Sequence, residues 1–264
     1  MKTEKETWQK IQKSEIKYHQ RKDPAHILEI NLKYWKLLLS RIASYVEINP
    51  DTRVLDIGCG GCGILLAIEK GRLVGIDPLM NEYLQQFEFL KNAPITWICG
   101  AAEEMEFPEQ FDVIFSINSL DHVYDPQKTA DKINCFLQEK GFLVISLNCH
   151  NTDFFQWYYR RFYKYVDRYH PHHFRPVDLF KLFPEYKVLN QEDIDWIYLQ
   201  QQDLYREKVL QKKGIEWKSK IRSILNPFKY PVALANFVFK RHVHRRKPDD
   251  TSIFSTYLFI LQKY

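Results

Sequence analysis

Val54-Leu55-Asp56-Ile57-Gly58-Cys59-Gly60-Gly61-Cys62-Gly63 is the stretch on which the fold turns. An apolar strand carries one acid, Asp56, and runs directly into a glycine loop. Gly58 and Gly60 permit a tight turn and let a ligand approach the backbone closely. Residues 64–68 read as a helix start, whose free N–H groups and positive dipole end suit an anionic group. Asp77 follows at the end of the next apolar run. A carboxylate there can accept both hydroxyls of a ribose. Glycines that merely shaped a turn would not call for this second acid.

Outward from this stretch, short apolar runs alternate with helical patterns. The runs are 53–57, 73–76, 95–99, 111–117 and 142–147, and helical periodicity fills 84–91 and 128–139. Strands alternating with helices mean βαβ units and a parallel sheet covered on both faces. Upstream, Ile27, Leu28, Leu32, Trp35, Leu38 and Leu39 recur at helical spacing. Residues 1–48 are therefore expected to form a helical cap. Aromatics crowd 149–175 and suggest a lid within a core of 49–198. A short helix is expected after Pro176 and a strand from Tyr186 onward. Residues 199–250 read as a basic amphipathic insertion. Residues 251–264 contain SIFSTYLFILQKY, a strand expected to run antiparallel beside the fifth or sixth.

The 264 residues are 45% hydrophobic and 27% charged, which excludes a collagen-like, disordered or polytopic membrane chain. Five scattered cysteines do not make a secreted disulfide framework. The N-terminal residues have no apolar core of a signal peptide, and no apolar run approaches a membrane span. A cytoplasmic protein is expected, with peripheral contact to the inner face of a membrane as an extension. That extension rests on residues 206–247, which hold 13 Lys/Arg against 2 Asp/Glu. Within 215–239, Trp217, Ile221, Ile224 and Leu225 share a helical face, with Lys218, Lys220 and Arg222 largely opposite. The pattern suits a membrane-surface element. RNA contact ranks below it, and a solvated helix packed on the domain accounts for the same residues.

The segment Asp56-x-Gly58-x-Gly60 resembles the first motif of class I S-adenosylmethionine-dependent methyltransferases. GAAEEMEFPEQFDVIFSINSLDHVYDP, residues 100–126, resembles that family's stretch from the third strand through the loop after the fourth. FLQEKGFLVIS and HPHHFRPVDLFKLF resemble its fifth strand and the lead-in to the next helix. The resemblance covers about 50–190. It implies an α/β, Rossmann-like doubly wound fold. Its sheet would be mostly parallel and seven-stranded, with helices on both faces and an antiparallel last strand. S-adenosyl-L-methionine is the cofactor so implied. Its binding residues would be Asp56, Gly58, Cys59, Gly60, Asp77, Pro78, Ala102, Glu103, Asn118 and Ser119. The family's third loop glycine falls on Cys62, and its adenine-contacting acid falls on Ala101. Apolar contacts from Pro78, Leu79 or Met80 are expected to compensate.

Gly58-x-Gly60-x-x-Gly63 also matches the dinucleotide fingerprint. Tyr124-x-x-x-Lys128 has the spacing of a dehydrogenase pair, but Pro126 argues against a helix through it. Asn118-Ser119-Leu120-Asp121 is not the motif of enzymes that methylate amino groups of nucleobases. The expected acceptor is a small molecule or a lipid-linked one. The alternatives are an RNA methyltransferase and a non-enzymatic protein retaining the fold. His122, His150, Tyr159 and His172 are candidate catalytic bases. Cys59-x-x-Cys62 and the histidines at 170, 172 and 173 are not assigned a metal.

Overall fold

The computed structural model describes residues 5–6, 8–9, 11–12, 24–167, 169–197, 200 and 253–264. The basic segment 206–247, with its expected membrane face at 215–239, lies outside the described residues. The strands are Arg53–Ile57 (β1), Arg72–Asp77 (β2), Thr96–Cys99 (β3), Phe111–Ile117 (β4), Leu137–His150 (β5), Tyr186–Asp193 (β6) and Phe254–Lys263 (β7). Successive residues of a strand face opposite sides, and both Val54 and Leu55 are fully buried. β1 is therefore covered on two faces, as its unbroken apolar run requires.

One sheet forms in the order β3-β2-β1-β4-β5-β7-β6. β1 to β5 pair in parallel. β7 runs antiparallel between β5 and β6, as expected. The chain lays β2 and β3 to one side of β1, then returns to place β4 on the other. This reversal opens a crevice beyond the carboxyl ends of β1 and β4. On one face, helix Pro24–Ile42 sets Tyr34, Trp35, Leu38 and Ile42 against Val54, Phe115 and Val144. On the other, helix Pro126–Phe136 sets Ala130, Ile133 and Phe136 against Leu55, Ile114 and Leu143. Helix Pro176–Leu182 adds Leu179 to that layer.

Four local expectations are corrected. No α-helix follows the glycine loop; two 3-10 turns, Gly60–Cys62 and Ile64–Ala67, take its place. Ile64 and Leu65 are pulled fully into the core, and β2 begins soon after at Arg72. The helix expected over 84–91 is broken at Phe87, whose φ of −119° and ψ of 101° are extended. Phe87 is fully buried between Tyr83 and Phe89. Pro126 does not prevent a helix but starts one, because the first turn needs no proline N–H. Asp125 caps it by accepting from Lys128 N. The helix ends at Phe136 rather than continuing to 139. Leu137 already pairs with Phe111, and Lys140, at φ 62°, loops out before Phe142 resumes the ladder on Val113.

The turn after β1 is fixed by close contact. Gly58 has φ +67°, its N–H donates to Ile76 O at 2.8 Å, and a Cβ would lie 2.4 Å from Ser119 Cβ. Gly60 has φ +60°, yet a Cβ there would meet nothing within 4 Å. The two glycines are thus separable by urea denaturation. Gly60→Ala should cost only the left-handed backbone, about 1–2 kcal/mol. Gly58→Ala should lose at least about 1 kcal/mol more, through overpacking against Ser119. Equal losses would remove the contact argument.

Candidate functional site

The crevice at the strand reversal is a cleft of about 630 Å³, including its open mouth. Its floor is the β1 turn, with Ile57, Gly58 and Gly60. Ile76, Asp77 and Pro78 come from β2 and its end. Gly100–Glu103 follow β3, and Asn118, Ser119, His122 and Val123 follow β4. Trp8 and Gln12 of the N-terminal segment lie across it. Trp8 Nε1 donates to His122 O at 2.7 Å, and the Trp8 ring meets Tyr124 edge-on at 5.5 Å.

Backbone and short side chains hold these loops in place. Asp77 Oδ2 accepts from Gly60 N at 2.9 Å, and its Oδ1 accepts from Leu79 N at 2.8 Å. Ser119 Oγ donates to Ile57 O at 2.8 Å and lies 2.8 Å from Ser116 Oγ. Asn118 takes the left-handed φ of 51°, which a short amide side chain tolerates. Glu103 Oε1 accepts from Tyr124 N and Asp125 N, at 2.6 and 2.9 Å, and clamps the β3 loop to the β4 loop.

The charge here has one sign. Asp77 and Glu103 line the cleft, and neither Lys nor Arg is among its described lining residues. Asp56 lies beneath the loop, 2% exposed, with Oδ1 buried and without a hydrogen bond. Burial, then the neighbouring Asp77, holds its carboxyl well above the usual carboxylate range. Burial also pushes Glu103 up, against the pull of the Asp125 and Tyr124 amides. Glu103 Oε2 is buried and without a partner. A ligand that donates hydrogen bonds or carries positive charge fits these acceptors. The open space over Gly60 leaves room for it at the backbone. Ile57, Ile76, Pro78, Ala101 and Ala102 supply an apolar wall suited to a flat ring.

The structure sorts the residues expected from sequence. Gly58, Gly60, Asp77, Pro78, Ala102, Glu103, Asn118 and Ser119 all line the cleft. Cys59 does not; its sulfur packs toward Gly75 and its thiol is raised by burial. Leu79 and Met80 are not its adenine wall. Both are buried in a core cluster with Tyr83 and Phe87. Among the candidate bases, His122 alone lines the cleft. His172 sits at the same loop, its Nε2–H donating to Val123 O at 2.9 Å. His150 and Tyr159 lie apart, with His173. His150 Nε2 is 3.2 Å from His173 Nδ1, and the Tyr159 ring is 4.7 Å from that of His150. Burial lowers His150 to about 4 and His173 to about 3. Trp8 and Gln12 were missed; a lone Trp in a polar segment was their only signal.

Residues 55–145 match the methyltransferase domain family. The chain is 35% identical over 106 residues to a malonyl-[acyl-carrier protein] O-methyltransferase of Anoxybacillus flavithermus, covering 38% of this chain and 40% of that one. It is 42% identical over 81 residues to a ubiquinone biosynthesis O-methyltransferase of Pseudomonas putida, covering 28% and 34%. The chain thus aligns with well under half the length of these relatives. The solved geranyl diphosphate C-methyltransferase of Streptomyces coelicolor shares the fold with a TM-score of 0.59 at 12% identity, over 87% of this chain and 78% of that one. With this strand order, glycine turn and acid-lined cleft, residues 55–145 match a methyltransferase domain on a sheet whose fold solved methyltransferases share.

Proposed function

We propose that this chain transfers a methyl group from S-adenosylmethionine to a small-molecule or lipid-linked acceptor. The observation that carries this is a cleft lined by acids, with no lysine or arginine among its described residues. A dinucleotide would bring two phosphate charges to a cleft that offers no Lys or Arg among its described lining residues. It would also find a 3-10 turn, not a long helix N-terminus, after the glycines. A sulfonium nucleoside with an ammonium group meets complementary charge instead. The matched family and the relatives that methylate acyl-carrier-linked and quinone substrates favour the same reading.

S-adenosylmethionine supplies an electrophilic sulfonium methyl, so the chain's task is chiefly to position and to exclude water. Asp77, oriented by the amides of Gly60 and Leu79, would hold the ribose hydroxyls. Gly58 and Gly60 would present bare backbone to the amino-acid end. Pro78 and Ala102 would wall the adenine, and Glu103, Asn118 and Ser119 would complete the cradle. Trp8 covers the cleft from the N-terminal segment. Among the candidate bases His122 lines the cleft and would be the one placed to receive an acceptor proton.

Two measurements test this. Calorimetry with S-adenosylhomocysteine should show Asp77→Ala weakened by roughly ten- to a hundredfold, the cost of a charge-assisted hydrogen bond. Unchanged affinity, or tight NAD binding by the wild type, overturns the assignment. Asp56 provides a pH test. Its native pKa lies above the unfolded value of about 4, so the folded protein loses stability as pH rises from there towards the native pKa. Asp56→Asn removes that penalty. The variant's melting temperature should therefore gain on the wild type from pH 4 to pH 8; a pH-independent difference would remove the account.

A further inference from the structure

Asp121, His122 and His170 each bring a ligand atom within 4.8 Å of the other two. Asp121 is 4% exposed, and its Oδ1 is buried with no hydrogen-bond partner. His122 Nδ1 is buried and equally without one. The rings of His122 and His170 stand 4.5 Å apart at 62°. A buried carboxylate oxygen and a buried ring nitrogen without hydrogen-bond partners, next to a second imidazole, are costly unless something shared satisfies them.

We propose that Asp121, His122 and His170 bind a first-row divalent cation of zinc type at the β4 edge of the cleft. The donor set is two imidazoles and one carboxylate, which suits such ions and leaves coordination positions open. Bonds of about 2.0–2.2 Å place tetrahedral ligands about 3.4 Å apart. The three ligand atoms, within 4.8 Å of one another, would draw closer on binding. His170 Nδ1 lies 2.7 Å from Asp167 Oδ1, the carboxylate–histidine arrangement that orients a ligating ring. The backbone beneath is pinned from two elements. His172 N donates to Asp121 O at 3.4 Å, His172 Nε2 to Val123 O, and Trp8 Nε1 to His122 O. His122 also lines the cleft, so an ion it held would adjoin a bound acceptor. There it would polarise an acceptor oxygen and ease loss of its proton to water, with His122 a ligand rather than a base. That role rests on the methyl-transfer reading; the ion site does not.

The test uses the full chain, stripped with a chelator and then titrated with Zn²⁺ by calorimetry and with Co²⁺ by visible absorption. One ion per chain is expected, with cobalt bands of a low-coordinate nitrogen–oxygen site. Asp121→Asn, His122→Ala and His170→Ala should each weaken Zn²⁺ more than Asp167→Asn, which should cost roughly ten- to a hundredfold. Replacing the exposed Cys99 and Cys135 by serine should change nothing. Melting curves establish that each variant is folded, and His170→Ala decides if the buried pair cannot be altered. No saturable binding overturns the proposal. So does binding that survives the three substitutions, or binding lost with the cysteines. S-adenosylhomocysteine affinity in metal-free buffer is measured alongside. Its absence with the ion still bound removes the methyl-transfer reading and leaves the site. The reverse removes the site alone.

Discussion

The contact between Gly58 and Ser119 is the constraint on which the rest depends. A backbone without Cβ lies where any side chain would strike the residue after β4. The N–H of Gly58 holds Ile76 O, while Ser119 Oγ holds Ile57 O. The end of β1 is thereby tied to both of its neighbours in the sheet. Asp77 continues the same stitching by taking the amide of Gly60. Three strand ends are thus fixed relative to one another by main-chain groups and short side chains. A ligand entering the reversal meets a surface already ordered, so little conformational entropy remains to be lost on binding.

The polarity of that surface is one-sided. Asp56, Asp77, Glu103 and Asp121 are all more than nine-tenths buried around a single crevice. Burial first, and then the neighbouring Asp77, raises the proton affinity of Asp56. Amides of the β3 and β4 loops answer part of the demand at Glu103. The remainder is left for donors and cations from outside the chain. Stability and binding are therefore in opposition at these positions: what makes the empty crevice costly makes a cationic guest welcome.

Much of this was legible in the sequence where chemistry is local. The apolar runs located β1 and β4 with their observed boundaries, and Asp77 at a strand end announced an acceptor beside the glycines. Reading failed where distant packing overrode local preference. The periodicity over 84–91 could not show that Phe87 would be drawn into a cluster with Met80 and Tyr83, which unwinds the helix there. The same cluster claims Leu79 and Met80, leaving Pro78 alone on the cleft wall. Pro126 was misread because a proline's meaning depends on whether it falls inside a helix or at its first residue. Trp8 reaches His122 across a long stretch of chain, and no spacing rule encodes such a contact.

β7 occupies an interior position although it follows β6 after a long stretch of chain. Until it arrives, β5 and β6 each present a raw edge of unpaired amides and carbonyls, open to the wrong partner. Its insertion closes both at once, with nine residue pairs on the β5 side. The crevice lies on the other side of β5, so the pairing that β7 completes stiffens the strand whose far edge carries β4 and the loop of Asn118 and Ser119.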